Sequence, residues 1–216
     1  MQSSLNERRE ADSDKAHLCK SMFRTLMFAN VLFLALVARA QEVAAPYGYD
    51  LGGRPVDRLA APGTQAVVLF FTATDCPISN RYIPEIQRLQ KEFEAQRVTV
   101  WYVYPNAAET TAAVRQHELA YGAEAHVLLD PHHRLVDLAR ASITPETAIL
   151  VPDGTDSQSL RVVYRGRIDN RYIHFGVQRP EANKHDLEQA ISDVLEHRPV
   201  HQPDGPPVGC AIIGQP

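Results

Sequence analysis

Beyond residue 65 the apolar positions follow two rhythms in turn. Residues 66–74 (AVVLFFTAT) form a near-continuous apolar run ending in polar residues, the pattern of a strand buried on both faces. Residues 78–93 then place Ile83, Ile86, Leu89 and Phe93 at helical spacing. VTVWYVYP at 98–105 predicts a second buried strand, 109–121 a second helix, HVLLD at 126–130 a third strand, and 133–141 a short helix. After that the rhythm changes. Residues 147–151 and 160–164 are short strands separated by the turn-rich DGTDSQ, which suits an antiparallel hairpin. Residues 183–197 carry Leu187, Ile191, Val194 and Leu195 on one face and predict a final amphipathic helix. Such an order predicts an α/β domain, with a parallel sheet between helices and the hairpin at one side.

Upstream, the uncharged run LMFANVLFLALV at 26–37 is preceded by Arg24 and followed by Ala38-Arg39-Ala40, a small-x-small cleavage pattern. Twelve residues fall short of the roughly 20 that span a bilayer. The segment therefore reads as a secretory signal cut after Ala40, with membrane attachment only if it stays uncleaved. The leader is long and of mixed charge, and Met22 gives a more compact start. Either start removes Cys19 on cleavage. The expected organisation is a signal at 1–40, one domain at 41–198, and a Pro/Gly-rich tail at 199–216 that carries Cys210. The expected location is periplasmic or secreted.

Composition narrows the function classes. With 216 residues, 44% of them hydrophobic, the chain can bury a core, and it is neither disordered nor a polytopic membrane protein. A formal net charge of −4 speaks against nucleic acid as a partner, because phosphate contacts need clustered Lys and Arg. Three cysteines are an odd number, but loss of Cys19 leaves two, Cys76 and Cys210, in a compartment where disulfides persist. The sequence has no Gly-rich phosphate loop, no zinc-type CxxC pairs and no Ser-His-Asp elbow, and nothing in it calls for a cofactor.

Cys76 lies just past the first strong strand and at the start of the first long helix. Unpaired amide N–H groups and the helix dipole stabilise a thiolate there, and Pro77 sits where a missing N–H costs nothing. TDCPIS at 74–79, preceded by AVVLFF, resembles the active-site turn of thioredoxin-fold proteins, and Ile143-Thr144-Pro145 resembles their cis-proline loop. The elements between the two motifs are similar to the redoxin branch, which includes the alkyl hydroperoxide reductase/thiol-specific antioxidant proteins. The resemblance spans roughly residues 46–197. It implies a thioredoxin-like three-layer sandwich, a mixed central sheet with helices on both faces. It also implies Cys76 as nucleophile, Asp75, Pro77, Ser79 and Arg81 around it, and Thr144 and Pro145 shaping a substrate groove. A substrate peptide would meet the backbone of Thr144.

Two departures from the family pattern matter. Ser79 stands where the second cysteine of CxxC would be, and a serine cannot resolve a mixed disulfide. Ala73 stands where peroxiredoxins usually carry a peroxide-binding threonine. Cys210 is the candidate replacement: the 12 residues from Arg198 reach up to about 40 Å when extended, enough to bring it to Cys76. A link between the tails of two copies, or a free thiol, is the alternative. The apolar residues Val208, Ala211, Ile212 and Ile213 favour docking of the tail. The triplet Asn-Arg-Tyr occurs at 80–82 and again at 170–172, so that Arg81, Arg171 or Tyr172 either tunes the thiolate or belongs to a structural hydrogen-bond network.

These features lead to a thiol-disulfide oxidoreductase or antioxidant acting on protein or small-molecule thiols and disulfides. The alternatives are a thiol peroxidase, and a non-enzymatic module that binds a partner or Cu(I) through Cys76, Cys210 and a histidine such as His174. His132-His133 reads as an exposed turn.

Overall fold

The computed structural model describes residues 45–122, 126–154 and 156–214, with the backbone alone at 156–158. Cys19, Met22, the apolar run at 26–37 and the cleavage point at Ala40 lie outside the described residues.

Two short strands, β1 (Gly48–Tyr49) and β2 (Pro55–Val56), come first, then β3 (Ala66–Phe71) and the long helix α1 (Pro77–Phe93). β4 (Val98–Tyr104), α2 (Thr111–Tyr121), β5 (His126–Leu129) and α3 (Arg134–Ala139) follow. The chain then forms β6 (Ile143–Thr144), β7 (Glu146–Asp153), β8 (Asp156–Gly166), β9 (Tyr172–His174) and β10 (Val177–Gln178). α4 (Asp186–Leu195) and β11 (Cys210–Ala211) complete it. Seven strands make the central sheet in the order β2-β1-β5-β4-β3-β7-β8. β3, β4 and β5 are parallel, whereas β7 and β8 form the expected antiparallel hairpin beside β3. β1 and β2 were not foreseen; they extend the opposite edge and make the sheet mixed at both sides.

β3 explains the layering. Its six side chains are all buried, and they alternate. Ala66, Val68 and Phe70 pack on one face with residues of α1 and α4, while Val67, Leu69 and Phe71 pack on the other with Leu135, Val136 and Ala139 of α3. A strand covered on both sides must be apolar at every position, and each fully buried Val, Leu or Phe stabilises the fold by about 1.5–3 kcal/mol. The result is the thioredoxin-like α/β sandwich of three layers. Among the described residues no helix is long and apolar enough to cross a membrane.

Candidate active site

The backbone leaves β3, turns at Ala73 (Cys76 N–H to Ala73 O, 3.2 Å), and enters α1 with Cys76 as its N-cap and Pro77 at the first helical position. Asp75 and Pro77 are exposed, but Cys76 is 0% exposed. Its thiol donates to Thr144 O at 3.0 Å. The Thr144–Pro145 peptide bond is cis, as the resemblance implied.

The tail also reaches this point. β11 pairs antiparallel with β6, setting Cys210 opposite Thr144 and Ala211 opposite Ile143. The two cysteines are not joined in a disulfide, and each shifts the ionisation of the other. Burial alone would push Cys76 up. Hydrogen bonds from Ser79, through side chain and backbone, and from the Cys210 thiol and the Thr144 hydroxyl outweigh it, so the Cys76 thiol lies below its ordinary value. Ser79 Oγ and Thr144 Oγ1 are buried and have no hydrogen-bond partner, which leaves both free to stabilise a thiolate. Cys210 moves the opposite way. Burial, its hydrogen bond to Cys76, and the negative charges of Cys76 and Asp75 push it up to about 12. The two shifts are opposed, Cys76 down and Cys210 up, so Cys76 is the more readily ionised of the two.

Behind the turn lies a buried polar chain that sequence reasoning missed. Glu109 accepts from Thr74 N–H at 2.6 Å, and burial raises the carboxyl above its usual range. Asn80 donates to Thr74 O at 3.3 Å and meets His117 Nε2 at 2.8 Å. The Tyr104 hydroxyl lies 2.8 Å from His117 Nδ1 and bonds also to Glu118. On the opposite side Glu146 accepts from Ser142 N–H at 2.8 Å and fixes the cis-proline loop. No pattern of spacing marks these residues: Glu109 and His117 act on groups 35 and 37 positions away, and Glu146 on a loop with no period.

Other expectations fall differently. Arg81 turns away from the thiol to Tyr172 Oη (3.4 Å) and Gln178 Oε1 (3.1 Å) on the β9–β10 hairpin. The two Asn-Arg-Tyr triplets meet: the Tyr82 and Tyr172 rings are 5.7 Å apart, Arg171 lies over Tyr82, and Tyr82 bonds to Asp169. This is the structural network linking helix and loop. His133 is buried, with Nε2 3.0 Å from Pro105 O, which corrects the exposed-turn reading; only His132 is exposed. His174 sits on β9 beside Phe175 O, and among the described residues no histidine gathers with both cysteines into a metal-binding group. The three-ligand copper site is corrected accordingly.

Residues 38–155 match the family model described as AhpC/TSA family. Among solved structures, an uncharacterized conserved protein from Geobacillus kaustophilus is 21% identical with a TM-score of 0.61, the match covering 82% of this chain and 92% of that one. A hypothetical protein from Sinorhizobium meliloti 1021 is 21% identical with a TM-score of 0.62, covering 80% and 92%. Both likenesses are of fold. No curated protein matches the chain.

Proposed function

The chain belongs to the AhpC/TSA family, and from that premise we propose that it is an extracytoplasmic thiol-disulfide oxidoreductase with Cys76 as nucleophile and Cys210 as resolving cysteine. The observation that carries this reading is the β6–β11 pairing, which sets Cys210 opposite Thr144, the residue whose carbonyl accepts from the Cys76 thiol.

The Cys76 thiolate attacks a substrate disulfide, forming a mixed disulfide and releasing one substrate thiolate. Cys210 then gives up its proton and attacks the Cys76 sulfur; the Cys76–Cys210 disulfide forms and the second substrate thiolate leaves. Two electrons have passed to the substrate, and an external dithiol restores the pair. The opposed shifts suit this order. A Cys76 thiolate raises Cys210, and capture of Cys76 in the mixed disulfide removes that charge. The resolving thiol becomes easier to ionise when it is needed.

A thiol peroxidase is the second reading, favoured by the complete burial of Cys76, which a small oxidant tolerates better than a folded protein. Cys76 would then be oxidised to a sulfenic acid by hydroperoxide, and Cys210 would displace water from it to give the same disulfide. A compact unit that starts at Ala45 suits a leader cut after Ala40. Two assays on the full chain separate the readings: reduction of a protein disulfide and consumption of hydrogen peroxide, each with Cys76→Ser and Cys210→Ser. Disulfide turnover lost in Cys76→Ser, with a trapped mixed disulfide in Cys210→Ser, supports the first reading. Peroxide turnover alone supports the second. Neither activity, or no linked Cys76–Cys210 peptide after oxidation, overturns the couple.

A further inference from the structure

Among the described residues β6 pairs with β11 alone. The ladder runs on past the strand, Ile212 N–H donating to Ser142 O at 3.1 Å, and Asn106 Oδ1 accepts from Ile213 N–H at 3.0 Å. Ile212 is 5% exposed, in the cluster that holds Leu135 and Val136. Val208 lines a narrow crevice with Tyr82, Pro145 and Tyr172. The tail is thus fixed by an apolar side chain on either side of Gly209 and Cys210.

Gly209 has a steric reason to be glycine. A Cβ built there would lie 2.0 Å from Thr144 O and 2.6 Å from Thr144 C, and both are backbone atoms that cannot turn aside. The close approach itself demands the missing side chain. A cysteine can stand opposite Thr144 in this register only when glycine precedes it.

We propose that the edge of β6 is a strand-addition site selective for an extended peptide with glycine immediately before its cysteine, and that residues 208–212 are its tethered occupant, displaced by a partner segment of the same kind. This rests on the reading of Cys76 as the reacting thiol. With the tail seated Cys76 is buried, so a protein disulfide reaches it only by unpairing β11 and taking its place. Exchange of one strand for another leaves the backbone hydrogen bonds nearly unchanged in number, so displacement costs little beyond removal of Ile212 and Val208 from their contacts. Selectivity comes from the Gly209 position, where any side chain meets Thr144.

The test uses the reduced full-length chain. Iodoacetamide labelling of Cys76 is followed by peptide mapping, with and without peptide probes that contain no thiol. Gly209→Ala should speed labelling by roughly tenfold or more, as a local opening of the tail requires. Ile212→Ala, which removes the buried anchor without a clash, should move labelling the same way. Acetyl-Val-Gly-Ser-Ala-Ile-amide should slow labelling of Gly209→Ala again, and acetyl-Val-Ala-Ser-Ala-Ile-amide should not. Wild-type labelling rates in both variants, each folded by circular dichroism, overturn the proposal; so does equal protection by the two peptides. Because every measurement is made on reduced protein, the result does not depend on disulfide formation. A chain that never links Cys76 to Cys210 but shows this labelling pattern loses the proposed function and keeps the selective edge.

Discussion

Cys76 is carried by the part of the molecule with the most support, and Cys210 by the part with the least. The turn that holds Cys76 hangs between a wholly buried strand and a 17-residue helix. Its backbone is pinned by Glu109, and Asn80 ties the first helical turn to His117 and Thr74. Cys210 lies on a strand of two residues that touches one edge. Each neutral hydrogen bond along that edge contributes only about 0.5–1.5 kcal/mol net. The difference separates two tasks. A low thiol pKa needs donors held in fixed places, because a thiolate is stabilised only while its partners stay aimed at it. Resolution needs a thiol that can be moved away from the substrate and returned to it. A rigid turn and a lightly held strand meet those opposed demands within one domain.

The harshest test of this division removes the fixed thiol. Cys76→Ser should lower turnover by roughly a thousandfold, since a hydroxyl does not ionise near neutral pH and no other thiol takes its place. Rates measured with disulfide and with peroxide substrates check it. If Cys76→Ser keeps substantial activity, the reacting group is Cys210 and the comparison is inverted.

A matched pair of substitutions asks how differently the two regions are held. Ile83 on α1 is 1% exposed and Ile212 on the tail 5% exposed. Ile83→Ala opens a cavity in the core and should cost about 3 kcal/mol, lowering the melting temperature by about 6–12 °C. Ile212→Ala should cost less than about 1 kcal/mol of global stability, because a segment that opens locally cannot contribute more than its own docking free energy. Calorimetry on the two variants reads this directly. Equal losses would mean that the tail belongs to the cooperative core and does not open alone.

The same contrast explains what could be read in advance. β3, α1 and β4 announce themselves because long buried elements impose a period on many residues at once. The Cys76–Pro77 turn and Thr144–Pro145 were legible through residue types that suit a helix start and an X-Pro bond. β6 and β11 were not, since two residues have no period; the apolar character of Val208, Ala211, Ile212 and Ile213 hinted at docking, but Ala211 and Ile213 are exposed. Glu109 escaped because a carboxylate that caps a distant backbone looks like any polar loop residue, and Glu146 because its partners lie in a short loop with no period. His133 was misread for a related reason. Its burial depends on Pro105 O, 28 positions away in sequence.

The smallest expected effect is the most direct probe of contact between the regions. Replacement of Cys210 by Ala removes a donor to the Cys76 sulfur, so the Cys76 ionisation should move upward; Cys210→Ser keeps a hydroxyl in place and should leave it lower. Ultraviolet absorbance of the Cys76 thiolate, followed against pH with Ile212 intact and the tail seated, reports the difference. The linkage has a sign at each end. Cys76 is depressed, so its contribution to seating the tail is present above the ordinary thiol value and lost as pH falls through its own lower one. Cys210 is raised, so its contribution is present below the ordinary value and lost as pH rises through about 12. The tail should be held best between those limits, where the pair shares a single proton, and Cys76 in the wild-type chain should be best protected there. If Cys210→Ala leaves the titration of Cys76 unchanged, the helix start and Ser79 alone set the thiolate, and the lightly held strand has no part in tuning the rigid turn.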